Sequence, residues 1–373
     1  MKHLRVCLLL SFCLSSIATA AEPFRFEEND KKQLTLTEGT SPIFTYQYDV
    51  IEHENVPRTN PRRTSGCYVH TLYGLNGEIL TDNAPADHYH HHGIFWRWSH
   101  VGIHEPDGTT TNHSLWENNT GLKQHFVRWI DRTISDESAT FTVENGWFIG
   151  DPKDGKKIMI ERVKIIAHRI QNNLANNLAG TPVNHGTPGT PASRAIDFEF
   201  QWQPTDKPIT LRGVEDKSYG GFTMRFKPFV PAGRTLAGRS DINRITTPAG
   251  IAEGDLPETP LPWADYTSLF SRRIFDAAVT LEGQPLEGTV VTFKPSVQPS
   301  GAAIFIPKDH PDFPPTWLTR YYGPLCVGWP GVKGRTFQPG EKFELRYRVW
   351  IHDGAVTVPQ IEEAYNEYLE GKR

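Results

Sequence analysis

The chain has 373 residues, with 39 Lys and Arg against 43 Asp and Glu, for a formal net charge of −4. This mild acidity argues against a nucleic-acid partner, which needs a basic surface. The length permits two domains or one large β domain, and 31 Gly with 29 Pro suit many short strands joined by turns.

Residues 1–20 read as a secretory signal peptide. Lys2 and Arg5 form a basic head, Val6 to Ile17 is apolar, and Ala18-Thr19-Ala20 is a small-x-small cleavage site. The apolar run is short for a membrane span, and Phe12 before Cys13 fits a lipoprotein site poorly. The expected product is exported, periplasmic or extracellular, with no transmembrane segment. Losing Lys2 and Arg5, and no acidic residue, takes the charge from −4 to −6. Cys67 and Cys326 are the cysteines left. An oxidising compartment would let them pair, and separate burial is the alternative.

Strand patterns dominate the rest of the chain. Phe44–Val50, Ala139–Glu144, Lys157–Ile166, Ala195–Trp202, Val290–Phe293 and Phe343–Trp350 alternate apolar with polar. Asn76-Gly77 and Glu253-Gly254-Asp255 suit turns. Gln171–Ser193, rich in Asn, Gly, Thr and Pro, reads as an exposed loop inserted between two strands. Near the end, Pro359 suits a first helical position, and Ile361, Ala364, Tyr365 and Leu369 recur at helical spacing. The expected fold is all-β: residues 21–373 as one large, many-stranded antiparallel β-sandwich, supersandwich-like, with a C-terminal helix.

Eight of the 15 histidines fall between residues 88 and 125, and four crowd into Asp87-His88-Tyr89-His90-His91-His92-Gly93. Imidazole titrates near neutrality and is the commonest metal ligand. If 87–92 is extended, His88, His90 and His92 share one face and are candidate ligands for a divalent metal ion. Asp87, His100, His104, His113 or Glu117 would complete the set. The plainer alternative is a metal-free polar groove. Trp96, Arg97 and Trp98 suit the wall of a sugar-binding cleft, whereas Trp129 and Trp202 read as core residues.

A second block runs from Lys308-Asp309-His310-Pro311 to Trp317, Arg320, Tyr321, Tyr322 and Gly323. Asp309 and His310 suit an acid–base pair, Arg320 a clamp on a carboxylate or phosphate, and Tyr322 a proton carrier. His352-Asp353-Gly354 is a weaker signal, explained equally well as a turn. No phosphate loop, dinucleotide glycine pattern or Gly-x-Ser-x-Gly is present.

Several of these blocks resemble those of a known family in order along the chain. Asp87–Gly93 is similar to Asp-His-Pro-His-His-Arg-Gly, with Tyr89 replacing Pro and His92 replacing Arg. Tyr219-Gly220-Gly221-Phe222, Trp263-Ala264-Asp265-Tyr266, Asp309–Gly323 and His352-Asp353-Gly354 match the remaining blocks. The resemblance is to the methane oxygenase PmoA-like group of bacterial, often exported proteins, commonly met beside sugar-degradation proteins. It implies a carbohydrate or other small-molecule substrate.

The leading expectation is an exported carbohydrate-active enzyme that hydrolyses, eliminates from or epimerises a glycan or modified sugar. His90, His91, Asp309, His310, Arg320 and Tyr322 are its candidate catalytic residues, and Trp96, Arg97, Trp98, Trp317 and His352 its candidate substrate-binding residues. A metal-dependent oxidase and a non-catalytic sugar-binding or cell-surface module are the alternatives.

Overall fold

The computed structural model describes residues 23–171, 191–230, 242–275 and 291–372. The expected leader, and 172–190 of the expected loop insertion, lie outside the described residues. The all-β expectation holds. Two antiparallel nine-stranded sheets dominate, and the chain closes with the helix Val358–Leu369.

The first sheet runs in the order Phe24–Asn29, Gln33–Glu38, Ser41–Gln47, Tyr68–Leu72, Ile94–Arg97, Gly221–Arg225, Pro324–Gly328, Thr316–Thr319 and Leu256–Pro260. The second is built on four long neighbours, Leu122–Ile134, Ser138–Ile149, Lys156–His168 and Ser193–Pro204, followed by Phe343–Asp353, Ser300–Phe305, Trp263–Ser268, Arg244–Thr247 and Gly250–Ile251. Side-chain alternation explains why these segments pair. Val163, Ile165 and Ala167 are fully buried on one face while Arg162 and Lys164 project from the other. One continuous apolar core draws on both sheets, Leu36, Trp96 and Met224 from the first and Phe141, Phe200 and Tyr347 from the second. Each such side chain, fully buried, contributes about 1.5–3 kcal/mol.

The helix covers the other side of the second sheet. Ile361, Ala364 and Tyr365 pack on Trp263, Ala303, Phe305 and Trp350, and Tyr365 Oη donates to the Ile306 carbonyl at 2.8 Å. The expected helical spacing is the spacing that is buried. Among the described residues, no helix is long and apolar enough to cross a membrane.

In the core, Glu161 is fully buried and accepts five N–H bonds. Three come from indoles, Trp96 at 2.9 Å, Trp147 at 2.8 Å and Trp202 at 2.9 Å, and two from Asn145 and Gln124 at 2.9 Å each. A buried carboxylate is tolerated only with such compensation.

The strand Ile94–Arg97 sits mid-sheet and is buried on both faces. Ile94 and Trp96 point into the main core, while Phe95 joins Tyr68 and Trp116 in a separate cluster on the sheet's outer face. Trp96 and Trp98 are therefore core residues and not a cleft wall, because strand alternation carries them inward. Cys67 and Cys326 are both free and buried. They stand three strand spacings apart, about 14 Å, beyond disulfide reach.

Candidate functional site

Residues 85–92 are not extended. His88 N–H donates to the Pro85 carbonyl at 2.9 Å and His91 N–H to the His88 carbonyl at 3.0 Å, making two successive turns. Ala84 N–H closes the loop on the His91 carbonyl at 2.8 Å. Gly93 then takes φ +55°, and a Cβ there would lie 2.9 Å from His70 Cβ. Its glycine serves a close approach to the neighbouring strand, not to a ligand.

The turns, rather than alternation, decide where the imidazoles go. His88 and His91 stack with centroids 4.8 Å apart and planes 4° apart. His90 stands edge-on to both, at 5.7 Å from His88 and 4.6 Å from His91. His92 turns the other way and is fully buried. It stacks on His53 at 5.0 Å and lies tilted against Tyr68 at 4.9 Å, with Nδ1 2.9 Å from Asn83 Oδ1. The expected set His88, His90 and His92 is thus divided, since a period of two needs an extended backbone. Among the described residues, no three His, Cys, Asp or Glu side chains are grouped to hold a metal ion.

Around His88 a polar chain assembles. Its Nδ1 lies 2.9 Å from Asp87 Oδ2, with the N–H aimed off the oxygen. Its Nε2 lies 3.5 Å from Tyr322 Oη, and the two rings stack with centroids 5.0 Å apart. Arg225, buried to 5 % exposure, places Nη2 3.2 Å from Asp87 Oδ2 and its guanidinium carbon 4.6 Å from the centre of the Tyr322 ring. Arg225 Nε and Nη1 and His91 Nδ1 are buried without hydrogen-bond partners. Trp116 completes the group, 5.0 Å from His90 and stacked on Tyr219 at 4.7 Å.

The electrostatics separate these groups. Burial, aided by the neighbouring His88 and Arg62 charges, lowers His90 to about 3. Burial likewise holds His91 well below the usual imidazole range, with the charges of His90 and Arg225 adding to it. Both rings are therefore neutral at pH 7. Burial opposes ionisation of Asp87, but the His88 contact and the Arg225 charge outweigh it and keep its carboxyl low. Burial pushes the Tyr322 phenol up to about 12, and Cys326 adds to the rise while Arg225 acts against it.

The other expected site residues lie elsewhere. Asp309 pairs with Arg346. His310 is buried beside Trp329 and Tyr347, its Nε2 3.5 Å from Tyr347 Oη. Burial lowers His310 to about 4 despite the Asp309 charge, which acts in the opposite direction. The reason for the split is topological. Asp309 and His310 follow a strand of the second sheet, whereas Tyr322 lies in the turn joining two strands of the first.

Arg320 is held by Asp255 at 3.0 Å. Arg97, buried to 3 %, donates to Gln124 Oε1 at 2.8 Å and to the Gly66 carbonyl at 2.7 Å. Trp317 is fully buried and donates to the Leu261 carbonyl at 2.8 Å. His352 is fully buried, with Nε2 2.9 Å from Asp265 Oδ1 and Nδ1 3.0 Å from the Gly354 carbonyl. His104 bonds to Thr210 at 2.7 Å, and His113 lies 3.2 Å from the Thr120 carbonyl. Of the expected residues, His90, His91 and Tyr322 come together. Arg225, Trp116 and Tyr219 were not among the expected site residues, and Asp87 and His88 were expected only as metal ligands. Tyr219 carried a signal, its place before Gly220-Gly221. Arg225 had none, being one cation at the end of an apolar strand.

No curated protein matches the chain. A family model matches residues 33–366, and the chain belongs to that family, DUF6807, a family of unknown function.

Proposed function

We propose that the Asp87–His88–Tyr322 chain is the proton-transfer centre of an exported enzyme acting on a glycan or modified sugar. The observation that carries this reading is the juxtaposition itself, a carboxylate, an imidazole and a phenol in sequence, with Arg225 over the phenol ring. His88 Nε2 takes the phenolic proton as Tyr322 Oη takes a proton from the substrate. Asp87 then stabilises the imidazolium, Tyr322 is again a phenol, the negative charge is left on the substrate, and Arg225 favours the partial phenolate character that Oη passes through during the transfer. The return transfer restores all three groups. Long contacts of this kind commonly tighten once a substrate is bound.

Of the reaction types considered, elimination or epimerisation fits better than hydrolysis. Glycoside hydrolysis generally uses two carboxylates. Among the described residues the chain of contacts contains one, Asp87, already engaged with His88 and Arg225. Half-buried Tyr219, backed by the buried Trp116, offers aromatic surface near the histidines, and Arg225 keeps two buried nitrogens without hydrogen-bond partners beside the Tyr322 ring. The motif resemblance to PmoA-like exported proteins supports the same reading.

The test is a screen of the mature protein against neutral and acidic oligosaccharides, with products followed by mass spectrometry. Turnover that disappears in Tyr322→Phe and His88→Asn supports the proposal. Turnover that survives both substitutions refutes it. Sugar binding without any product would instead favour a binding module.

A further inference from the structure

We propose a binding site for a small monovalent anion, of the size and charge of chloride, in a cavity between Thr64–Gly66, Arg97 and Lys123. This cavity of about 10 Å³ is lined by Val50, Thr64, Ser65, Gly66, Arg97, Leu115, Asn118, Lys123 and Gln124. Two of these side chains are cationic and none is a carboxylate. Arg97 is buried to 3 % exposure, and its two hydrogen bonds reach neutral acceptors, Gln124 Oε1 and the Gly66 carbonyl. Lys123 Nζ donates to a neutral hydroxyl, Thr64 Oγ1, at 3.0 Å. Ser65 is buried to 4 %, and its Oγ has no partner.

Neither cation is in direct contact with a carboxylate: the hydrogen-bond acceptors of Arg97 and Lys123 are all neutral, although the charge of Glu161 is felt by Arg97. Glu161 is reached from Arg97 only through Gln124 and already accepts five N–H groups. Burying a guanidinium without an anion is costly. An ion in the cavity would meet two cations and a hydroxyl donor. Size selects its class. A cavity with room for about one water-sized particle suits a monatomic anion better than acetate, with its four heavy atoms. The site is separate from the proton-transfer centre and does not depend on it. Arg97 nevertheless links the two regions, because its carbonyl accepts Trp116 Nε1 at 2.9 Å.

Thermal unfolding of the mature protein, exchanged into gluconate and titrated with halide at constant ionic strength, tests the site. Chloride and bromide should each raise the midpoint, by about 2 °C at ten times Kd and then in proportion to the logarithm of concentration, while acetate has a much smaller effect. Lys123→Met should weaken halide binding about tenfold or more, and Ser65→Ala should weaken it less. Superimposable chloride and gluconate curves would mean that the cavity holds only water and would overturn the proposal. An equal effect of acetate, or a chloride effect undiminished in Lys123→Met, would overturn it too.

Discussion

His88 and Tyr322, 234 residues apart in the chain, stack ring on ring with centroids 5.0 Å apart and planes 10° apart. Two sequence blocks meet in this contact, but only in part. The turn after Thr316–Thr319 brings Tyr322 to the outer face of the first sheet, and the histidine loop covers the same face. Asp309 and His310, ten or so residues earlier, remain with the second sheet.

Tyr322→Phe isolates the role of the phenol oxygen. The ring and its stack on His88 are kept, and only Oη is lost. Activity on a responsive sugar should fall by about 10²–10⁴-fold, with an unchanged urea midpoint. His88→Asn should cause a loss of the same order. Because the residues act as one unit, the double variant should be little worse than either single one. Steady-state kinetics on the three variants checks this, and independent, multiplying losses would count against a relay.

Arg225→Met tests the cation over Tyr322. Its charge favours the phenolate, so its loss should slow proton abstraction and move the alkaline limb of the pH–rate profile to higher pH. The expected readout is a fall in kcat of at least about tenfold together with that displacement, each tenfold corresponding to about 1.4 kcal/mol of barrier. A purely structural role would lower the amount of folded protein and leave the profile in place.

The buried histidines predict acid sensitivity. Burial lowers His53 and His310 to about 4, and His70 and His90 to about 3. Between the unfolded value of about 6.5 and these folded values, the unfolded chain binds protons that the folded one does not, so stability falls as pH falls. For a buried ring such as His53 the loss is about 2 kcal/mol at pH 5. Urea unfolding at about pH 7.5 and about pH 5 should show a clearly lower midpoint at the acid value. An unchanged midpoint would mean that the rings are protonated in the fold.

The fold class was legible because it rests on repetition. Alternation through Lys156–His168 or Phe343–Asp353 declares a half-buried strand, and the spacing of Ile361, Ala364 and Tyr365 declares a helix face. The site was only partly legible. Four histidines in five positions mark a special segment, yet their directions depend on the turns between Pro85 and His91, which their own spacing does not encode. Trp96, Trp98, Trp317 and His352 looked like binding residues because Trp and His carry the same letters in a core as in a cleft. Only the sheet order shows that Ile94–Arg97 is covered on both faces. Glu161 offered no signal at all, since its partners come from four other strands.

Glu161→Gln should be severely destabilising although it changes size little. An amide NH₂ would replace an oxygen that now accepts N–H bonds, setting donor against donor among Trp147, Trp202 and Gln124 or between Trp96 and Asn145. Unsatisfied buried groups cost about 1–3 kcal/mol each, so a loss of about 3–5 kcal/mol is expected. Chemical denaturation measures the loss, and near-ultraviolet circular dichroism reports the indoles. A variant within about 1 kcal/mol of the parent would show that the cluster adapts to an uncharged partner.

Gly301→Ala tests the buried Asp265–His352 pair from its unobstructed side. A Cβ at Gly301 would stand 2.7 Å from His352 Nε2, the atom that lies 2.9 Å from Asp265 Oδ1, and would also press on the Tyr266 carbonyl. The imidazole cannot retreat freely, because its Nδ1 is 3.0 Å from the Gly354 carbonyl. Overpacking of this kind costs about 1–3 kcal/mol, and displacing the ring from Asp265 adds the loss of a buried hydrogen bond. The urea midpoint should therefore fall, while turnover of the remaining folded protein stays at the parent value, since His352 lies among core strands away from Tyr322. A selective loss of turnover with unchanged stability would place His352 in the reaction after all.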